Sequence, residues 1–353
     1  MVTKLGLWSP KVECLAYTIA RSCAGKDCQV FIFTKPKEEV EYRGHSFYYD
    51  KLQRLEQVTI LHEVEAIQLD WLYLLGLPPN PSQPDLKQCA KNAQHLGLFS
   101  GIGKGSYLKN NRQQIKEFIK LFPLSLQLDK VFLGDGFYEL DFYSAIGQRE
   151  LIGIDVHSNF LENQELYQEL FAFQWQPKTS RKYKLNFIGN RNPNWRTEII
   201  NQIKHELEKQ KISVLTATEL EANFSNILWI EYGDDPGEKR GVSPQQYIKC
   251  LLNSDFTLSP PGYSRLTHRL VEALVLGSIP VLHEDELEIY DLSLKDHYNC
   301  IAVKNRNWIE AIQKIMGMKQ GKIEEMRHNI LAMKDTFLKD EAFCRRLRTK
   351  MGI

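Results

Sequence analysis

The sequence predicts an α/β protein built from two Rossmann-like domains that face each other across a cleft. Strand-like and helix-like segments alternate along most of the 353 residues, which is typical of parallel sheets with helices on both faces. The alternation stops at a polar, basic stretch, 171–184, and then restarts. A chain of this length also exceeds what one hydrophobic core usually serves. We therefore expect domains at 1–178 and 179–335, followed by a C-terminal helix at 336–353 that can pack back on the N-terminal domain.

The N-terminal half opens with a predicted βαβ unit. Two short apolar runs, Lys4–Trp8 and Gln29–Phe33, have the composition of buried strands. Between them, Ser9 and Pro10 are typical of a helix cap and a first helical position, and Gly25 closes the helix. Hydrophobic spacing and turn residues then predict helices at 64–76, 85–96 and 109–122, a Pro-rich loop at 77–84, and strands at Lys130–Leu133 and Leu151–Val156.

The C-terminal half repeats the same α/β order. Ser243-Pro244 followed by Gln246 predicts a capping box for a helix that runs to Leu252, because both side chains can accept hydrogen bonds from free N–H groups at the helix start. The other predicted elements are strands at Lys184–Ile188, Ile212–Thr216, Ile227–Ile230 and Cys300–Val303, and helices at 195–208, 306–316, 321–336 and 340–350.

The composition indicates a soluble globular protein without a dedicated nucleic-acid surface. Lys and Arg number 45 against 44 Asp and Glu, a net charge of +1, whereas nucleic-acid binders carry a basic excess. The N-terminus lacks an apolar signal region, and no segment approaches the ~20 apolar residues of a transmembrane helix. We therefore expect a cytoplasmic protein with no transmembrane segment, while peripheral membrane association stays open. The seven cysteines include no CxxC pair, which favours reduced, mostly buried thiols.

The stretch from Ser254 to Leu282 carries the clearest functional signal. A strand candidate that contains Phe256 ends at Pro260-Pro261, because proline has no N–H to donate to a sheet. Gly262 then permits close approach of a ligand to the backbone. In open α/β sheets, ligands bind at this position, outside the carboxyl ends of the strands.

A helix follows this turn, with Ser264 or Thr267 as its cap, and a second strand begins just past Gly277. The free N–H groups and the dipole of a helix N-terminus favour a phosphate. Arg269 can neutralise a diphosphate, and Glu272, one turn further on, can accept hydrogen bonds from ribose hydroxyls. The alternative is that Arg269 and Glu272 simply pair with each other at the surface.

This region resembles the exostosin-type glycosyltransferases of family 47, over about 183–305. The chain departs from the family pattern at Thr257, Ser259 and Ser278, where we expect buried packing without effect on the chemistry. It also departs at His268, which lies beside Arg269 and can alter the choice of donor. The residues that carry the resemblance are Phe256…Pro260-x-Gly262-Tyr263…Thr267-x-Arg269-x-x-Glu272-Ala273…Gly277-x-Ile279-Pro280-Val281, with Tyr247, Leu251 and Ser254 upstream, and Phe187-Ile188-Gly189 followed by Arg196.

The resemblance implies the GT-B fold, with an N-terminal acceptor domain and a C-terminal donor domain. It implies transfer of a sugar, with inversion, from a UDP- or GDP-linked donor to a saccharide or glycan acceptor, in polysaccharide or glycan biosynthesis. Donor-site roles carry over to Gly262, Arg269 and Glu272. Arg191 and Arg196 are weaker phosphate candidates, because both lie near the carboxyl end of a predicted strand. The full set of donor-site candidates is Arg191, Arg196, Pro260, Gly262, Ser264, Thr267, Arg269 and Glu272.

The general base that takes the acceptor's proton is expected in a loop of the N-terminal domain. Asp135 and Glu139, in the run GDGFYELD, are the leading candidates, since Asp135 follows a predicted strand and lies between two glycines. Asp155, His157 and His45 are further candidates. An ordinary turn aspartate is the alternative interpretation of Asp135.

Two other patterns are set aside. Residues 97–106 resemble a phosphate-binding loop, but the spacing is wrong and Gly105 stands where that loop needs serine or threonine. The acidic runs Asp234-Asp235 and Glu284-Asp285-Glu286 are expected to be solvated loop faces. A GT-B donor site does not need a metal to hold the diphosphate, so the resemblance implies a metal-independent enzyme without a cofactor.

Two alternative functions stay open. A chain that keeps the fold but lacks the base would be a non-catalytic subunit for saccharide binding or assembly. A GT-B protein can also be a nucleotide-sugar epimerase, which needs no acceptor. The sugar, the acceptor, the linkage and the oligomeric state do not follow from the sequence.

Overall fold

The computed structural model describes residues 2–9, 14–40, 43–63, 67–75, 85–100, 127–133, 148–151, 153, 156, 160–161, 163–191, 194–209, 214–215, 227–232, 242–262 and 266–353. The chain divides into two compact units, called here unit 1 (Met1–Ile152 with Phe343–Ile353) and unit 2 (Gly153–Ala342). The boundary expected at residue 178 lies inside unit 2. Each unit contains a parallel sheet with helices, so the predicted α/β fold class is confirmed.

Unit 1 is built on a seven-stranded sheet with the order β3-β2-β1-β4-β5-β6-β7, and its neighbouring strands pair in parallel. Successive connections run outward from β1 in one direction and then outward from β4 in the other, as in a doubly wound sheet. The elements are β1 (Thr3–Trp8), α1 (Cys14–Cys23), β2 (Cys28–Phe33), α2 (Arg43–Leu52), β3 (Val58–Leu61), β4 (Leu69–Leu75), α3 (Asp85–Lys91), β5 (Ala93–Ser100), β6 (Leu128–Leu133) and β7 (Gln148–Leu151).

The end of the chain completes the core of unit 1. Phe343, Leu347 and Met351, from the last helix, pack in the same buried cluster as Leu5 of β1. The hydroxyl of Tyr73, in β4, donates a hydrogen bond to the carbonyl oxygen of Met351 over 2.8 Å. Burial of three apolar side chains, at roughly 1.5–3 kcal/mol each, is enough to hold this helix in place.

One helix that the sequence predicts for unit 1 is wrong, and another is confirmed only in its first half. The segment predicted at 64–76 contains strand β4, and the helix predicted at 85–96 ends at Lys91 and is followed by strand β5. β4 pairs with β1 on one edge and β5 on the other, and its alternate side chains are covered by a hydrophobic cluster on each face of the sheet. A short, continuous apolar run of this kind cannot be assigned from its periodicity alone.

The other predictions for unit 1 have mixed outcomes. The strands β1, β2 and β6 and the end of helix α1 before Gly25 are confirmed. The strand predicted at Leu151–Val156 is β7, which ends at Leu151. Helix α2 and strand β3 have no counterpart among the predicted elements. The predicted helix at 109–122 and loop at 77–84 lie outside the described residues.

Unit 2 contains a six-stranded parallel sheet with the order β13-β12-β11-β8-β10-β9. Its predicted strands and helices are confirmed within a few residues at each end. The elements are α4 (Gln164–Ala172), β8 (Tyr183–Asn190), α5 (Asn194–Lys209), β9 (Val214–Leu215), β10 (Ile227–Tyr232), α6 (Pro244–Leu252), β11 (Ser254–Leu258), α7 (His268–Val275), β12 (Ile279–His283), β13 (Ile301–Val303), α8 (Trp308–Met316) and α9 (Gln320–Met333). The last helix, α10 (Asp340–Met351), begins in unit 2 and belongs to unit 1 from Phe343 onward.

The order of these strands creates a switch point between β8 and β11. The strands that follow β8 are added on the β10 side, whereas β11 and its successors are added on the other side. The loops after β8 and β11 therefore leave in opposite directions and open a crevice at the carboxyl ends of the two strands. This crevice is where a ligand is expected in unit 2.

Three expectations from the sequence can be compared with the structure. Helix α6 begins with the predicted capping box, in which the Ser243 hydroxyl accepts from the Gln246 N–H (3.2 Å) and the Gln246 side chain accepts from the Ser243 N–H (2.8 Å). The seven cysteines are free thiols, and five are buried, as expected. None of the helices in the described part of the chain has the length and hydrophobicity of a membrane span.

The polar stretch after α4 is tied to the sheet of unit 2 by buried arginines. Arg181 donates to the carbonyl oxygens of Leu251, Ser254 and Leu276 over 2.9–3.1 Å, and burial lowers the pKa of its guanidinium to about 9. The Trp175 indole, also buried, donates to the carbonyl oxygen of Val275 over 2.9 Å. These bonds explain why a polar sequence lies within a compact unit.

A buried ion pair joins α9 to the amino end of β11. The Arg327 guanidinium contacts the Asp255 carboxylate and donates to the carbonyl oxygens of Pro177 and Thr179. Arg327 is fully buried and Asp255 is 6% exposed. Burial raises the pKa of Asp255 and lowers that of Arg327, which reflects the cost of removing both charges from water.

We predict that Arg327→Met lowers the free energy of unfolding by about 3–5 kcal/mol, because it leaves Asp255 buried without its main counter-charge. Chemical denaturation followed by circular dichroism measures this loss. The double variant Arg327→Met/Asp255→Leu should recover a large part of it, since neither charge then remains.

The control for this prediction is Lys314→Gln, which removes an exposed pair with Glu310 in α8 and should shift the denaturation midpoint very little. An Arg327→Met protein as stable as the control variant would contradict the structural role of the buried pair.

Candidate functional site

The candidate site lies at the carboxyl ends of β8 and β11, where the chain leaves the sheet of unit 2. β11 ends at Leu258, and Pro260, Pro261 and Gly262 follow as a buried turn. β8 ends at Asn190 and runs beside β11. The predicted proline stop is therefore confirmed, and the turn lies at the switch point of the sheet.

Arg196 fixes the shape of this turn. Its guanidinium donates to the carbonyl oxygens of Pro261 (3.0 Å) and Pro260 (3.1 Å) and to the side-chain oxygen of Asn190 (3.0 Å). Arg196 is 7% exposed. Its guanidinium thus donates to protein oxygens, and through these bonds α5 holds the turn against the end of β8. The phosphate contact expected of Arg196 stays a prediction.

Two glycines leave room for the two arginines of the site. A Cβ atom on Gly262 would overlap the guanidinium of Arg196, and a Cβ atom on Gly189 would overlap the guanidinium of Arg269. Each glycine is therefore required because an arginine side chain occupies the space that any other residue would fill. For Gly262, this replaces the expected reason, which was close approach of a ligand.

Arg269 is the cation of the site that no carboxylate neutralises. Its guanidinium stacks on the ring of Phe187, with 4.9 Å from Cζ to the ring centroid, and donates to the carbonyl oxygen of Leu258 over 3.2 Å. Among the described residues it makes no ion pair, so the alternative pairing of Arg269 with Glu272 is wrong. A partly buried guanidinium without a counter-ion, beside Gly189 at the end of a parallel sheet, is suited to binding an anion.

Glu272 lies one helical turn after Arg269 and is 3% exposed. The Tyr247 hydroxyl, in α6, donates to its carboxylate over 2.6 Å. The short bond to a charged acceptor fixes the rotamer of Glu272. The sequence pattern that singles out Tyr247 together with Glu272 is explained by this contact.

The start of α7 differs from the predicted helix cap. Thr267 occupies the cap position, but its side chain makes no capping hydrogen bond, so that part of the prediction is wrong. Instead, the Thr267 N–H donates to the hydroxyl of Tyr290 over 2.7 Å. Ser264, the other predicted cap, lies outside the described residues.

Arg191 is placed near the site but is already paired. Its Nε lies 3.2 Å from the carboxylate of Glu231, which also binds Lys204 (3.0 Å) and accepts from the Trp229 indole (2.6 Å). Glu231 is paired in register with Gly189. Because one carboxylate offsets much of the charge of Arg191, this residue is a weaker anion ligand than Arg269.

The proposed general bases are not placed by the structure. Asp135, Glu139, Asp155 and His157 lie outside the described residues. His45 belongs to helix α2, but its side chain is outside the described part of the chain.

The acidic run after β12 is solvated only in part, since Asp285 is exposed and Glu286 is 2% exposed. No group of three or more His, Cys, Asp or Glu side chains suited to a metal ion occurs among the described residues.

Two of the departures from the family pattern, Thr257 and Ser278, form a buried polar contact beneath the turn. Thr257, Ser259 and Ser278 are fully buried. The Thr257 hydroxyl accepts from the Asn186 amide (2.8 Å) and shares a hydrogen bond with the Ser278 hydroxyl (2.7 Å). These residues are packing residues, as expected, and they connect β8, β11 and the start of β12.

Sequence reasoning missed three contributors to the site. Phe187 is part of the family motif, but the sequence did not predict that its ring supports Arg269. Asn190 and Tyr290 carry no motif signal, although Asn190 contacts Arg196, six residues on, and Tyr290 contacts Thr267, 23 residues away. Only the placement of Asn190 directly after a strand could have drawn attention to it.

Comparison with known proteins assigns a family to the second half of the chain. Residues 148–303 match the model of the Exostosin GT47 domain. The resemblance inferred from the sequence motifs is thereby confirmed for this region, and the chain carries a glycosyltransferase domain. No functionally curated protein matches the chain in sequence.

Solved structures similar to this chain have the GT-B fold, which confirms the predicted fold. A glycosyltransferase from Rickettsia africae is similar with a TM-score of 0.56 and 9% identity, over 99% of each chain. Sucrose-phosphate synthase from Thermosynechococcus elongatus has a TM-score of 0.55 and 11% identity, over 99% of this chain and 98% of that chain. HepE from Anabaena, solved in complex with UDP, has a TM-score of 0.53 and 12% identity, over 99% of this chain and all of that chain.

We predict that Gly262→Ala destabilises the protein by about 1–3 kcal/mol, because the new methyl group displaces Arg196 from the Pro260 and Pro261 carbonyls. Urea denaturation compared with wild type measures the effect. Gly321→Ala in α9 is the matched control, since nothing lies within 4 Å of its added methyl group. It should be neutral or stabilising, by roughly 0.5–1 kcal/mol. Equal denaturation midpoints for the two variants would show that Arg196 does not depend on Gly262.

Proposed function

We propose that this chain, whose C-terminal half carries an exostosin GT47 domain, transfers a sugar from a UDP- or GDP-linked donor to a hydroxyl group of a saccharide or glycan. One observation carries the proposal. Arg269 presents an unneutralised guanidinium at the crevice between β8 and β11, where a parallel sheet binds ligands. A nucleoside diphosphate carries the negative charge that would pair with this guanidinium.

The diphosphate would be held by Arg269 together with the turn and the start of helix α7. Arg269 can give bidentate hydrogen bonds to phosphate oxygens while its face stays on Phe187. The positive end of the α7 dipole favours the same negative charge. Gly189 and Gly262 keep both arginines in place, so the site is organised before the donor arrives. The structure of Anabaena HepE with UDP supports this class of ligand.

Glu272 would bind the ribose of the donor. Its carboxylate is held in one orientation by Tyr247 and lies on the same helix as Arg269, one turn away. Carboxylate oxygens accept hydrogen bonds from vicinal hydroxyls, and ribose offers two of them. The spacing between a cation for the diphosphate and a carboxylate for the ribose thus matches the order of groups in a nucleoside diphosphate.

The reaction would be a displacement at the anomeric carbon with inversion. The acceptor oxygen forms a bond to that carbon while the bond from the carbon to the diphosphate oxygen breaks. A base in the N-terminal domain, with Asp135 and Glu139 as the proposed candidates, takes the proton of the acceptor. Arg269 offsets the charge that develops on the leaving diphosphate, which is the largest electrostatic demand of the step.

We predict that UDP or GDP raises the melting temperature of the protein. A ligand at ~100 times its Kd stabilises the folded state by about 2.7 kcal/mol, which corresponds to several degrees. Arg269→Gln should weaken binding roughly 10- to 100-fold, because a charge-assisted hydrogen bond is worth ~1.5–3 kcal/mol. Glu272→Ala should also abolish the shift. Thermal denaturation with and without nucleotide is the measurement.

Arg345→Gln, which changes an exposed arginine of α10, is the control and should retain the full shift. If no nucleoside diphosphate stabilises the wild-type protein, the donor-site assignment fails. If Arg269→Gln keeps the wild-type shift, the diphosphate is bound elsewhere.

We also predict that chelation leaves sugar transfer intact, because Arg269 and helix α7 supply the positive charge that a metal ion would otherwise provide. The measurement is release of UDP or GDP from a nucleotide sugar with a panel of saccharide acceptors, before and after EDTA treatment. Loss of turnover on chelation, restored by manganese, would contradict metal independence.

A further inference from the structure

Tyr290 lies at the start of helix α7 although it is 23 residues away in the sequence. Its side chain is 1% exposed. The hydroxyl accepts a hydrogen bond from the Thr267 N–H over 2.7 Å and lies 3.3 Å from the Thr267 hydroxyl. This phenol therefore does at α7 what a capping side chain does at other helices, which is to satisfy a backbone N–H at the helix start.

Helix α7 needs such a contact because its own cap residue does not supply one. Thr267 makes no side-chain capping bond, and α7 spans only His268–Val275. The helices α4 and α8 instead begin with Asn163 and Asn307, whose side chains accept from Leu166 and Glu310. The start of α7 is thus determined by a tertiary contact rather than by its own sequence.

We propose that Tyr290 is a positioning residue for the nucleotide donor, an inference that rests on the proposed function. Arg269 is the second residue of α7, so the bond that fixes Thr267 also fixes where the Arg269 side chain leaves the helix. A shift of α7 by a fraction of an ångström would change the fit of Arg269 between Phe187 and the Leu258 carbonyl. Misplacement on this scale weakens ligand contacts without unfolding the protein.

The backbone of Tyr290 is itself in close contact with Gly153. A Cβ atom on Gly153 would overlap the carbonyl oxygen of Tyr290, and Gly153 has a φ of +69°, which favours glycine. Gly153 is the first residue of unit 2. The backbone of Tyr290 therefore packs against Gly153, where unit 2 begins, while its hydroxyl contacts the start of helix α7.

The test is Tyr290→Phe, which removes the hydroxyl and keeps the ring. We expect the Kd for UDP or GDP to rise roughly 3- to 10-fold, as for loss of one hydrogen bond, with the KM for the nucleotide sugar raised in parallel and kcat changed less. We also expect faster amide hydrogen exchange at 266–270, because the Thr267 N–H loses its acceptor.

The matched control is Tyr73→Phe in unit 1. Tyr73 is fully buried, and its hydroxyl also bonds to the backbone, at the Met351 carbonyl. This variant removes the same atom from a comparable environment. It should cost similar stability and leave nucleotide affinity and exchange at 266–270 at their wild-type values.

The outcomes separate the inference from the proposed function. If wild type binds UDP or GDP and Tyr290→Phe binds them equally well, Tyr290 has a structural role only and the inference is wrong. If wild type binds neither nucleotide, the proposed function fails. Independently of nucleotide binding, an unchanged exchange rate at 266–270 in Tyr290→Phe would overturn the positioning role. Weaker binding together with faster exchange, confined to Tyr290→Phe, supports it.

Discussion

The candidate site depends on one buried guanidinium. Arg196 gives three hydrogen bonds, to the carbonyl oxygens of Pro260 and Pro261 and to the side chain of Asn190. Removing a guanidinium from water is costly unless its donors are satisfied, so this arrangement is stable only in one geometry of the turn. The turn in turn sets the path of the chain from β11 towards α7. A change in Arg196 would therefore be felt by residues that it does not touch.

The described arginines of unit 2 differ in the groups that their guanidinium groups contact. Arg327 forms an ion pair with Asp255, Arg181 donates hydrogen bonds to carbonyl oxygens, and Arg191 forms an ion pair with Glu231. Arg327 and Arg181 lie at the opposite end of the strands, where β11 begins, and their contacts stabilise that end of the sheet. Arg269 rests on the ring of Phe187 and donates to one carbonyl oxygen, and among the described residues its buried Nε has no hydrogen-bond partner. For this reason the proposed function gives the contact with the diphosphate to Arg269.

The architecture of unit 2 could be predicted from the sequence to within a few residues, whereas unit 1 could be predicted only in part. In unit 2, proline, glycine and capping residues mark the ends of the elements, as Ser243 and Gln246 do for α6. In unit 1, the run from Trp71 to Leu75 is apolar throughout because hydrophobic clusters cover both faces of the sheet at this strand. Its periodicity is therefore uninformative, and only the pairing with β1 and β5, which is a tertiary property, makes it a strand.

The same distinction applies to the site. The motif singles out a turn, a cation and a carboxylate, because these features have local signatures, and their role as a donor site stays a prediction. It could not predict which arginine is free, since that depends on Glu231 and on two proline carbonyls far away in the sequence. It also predicted a capping bond from the Thr267 side chain, whereas the Thr267 N–H instead donates a hydrogen bond to the hydroxyl of Tyr290. A local motif thus specifies the chemical groups of this site, and contacts between distant segments specify their positions and charges, which decide what the groups can bind.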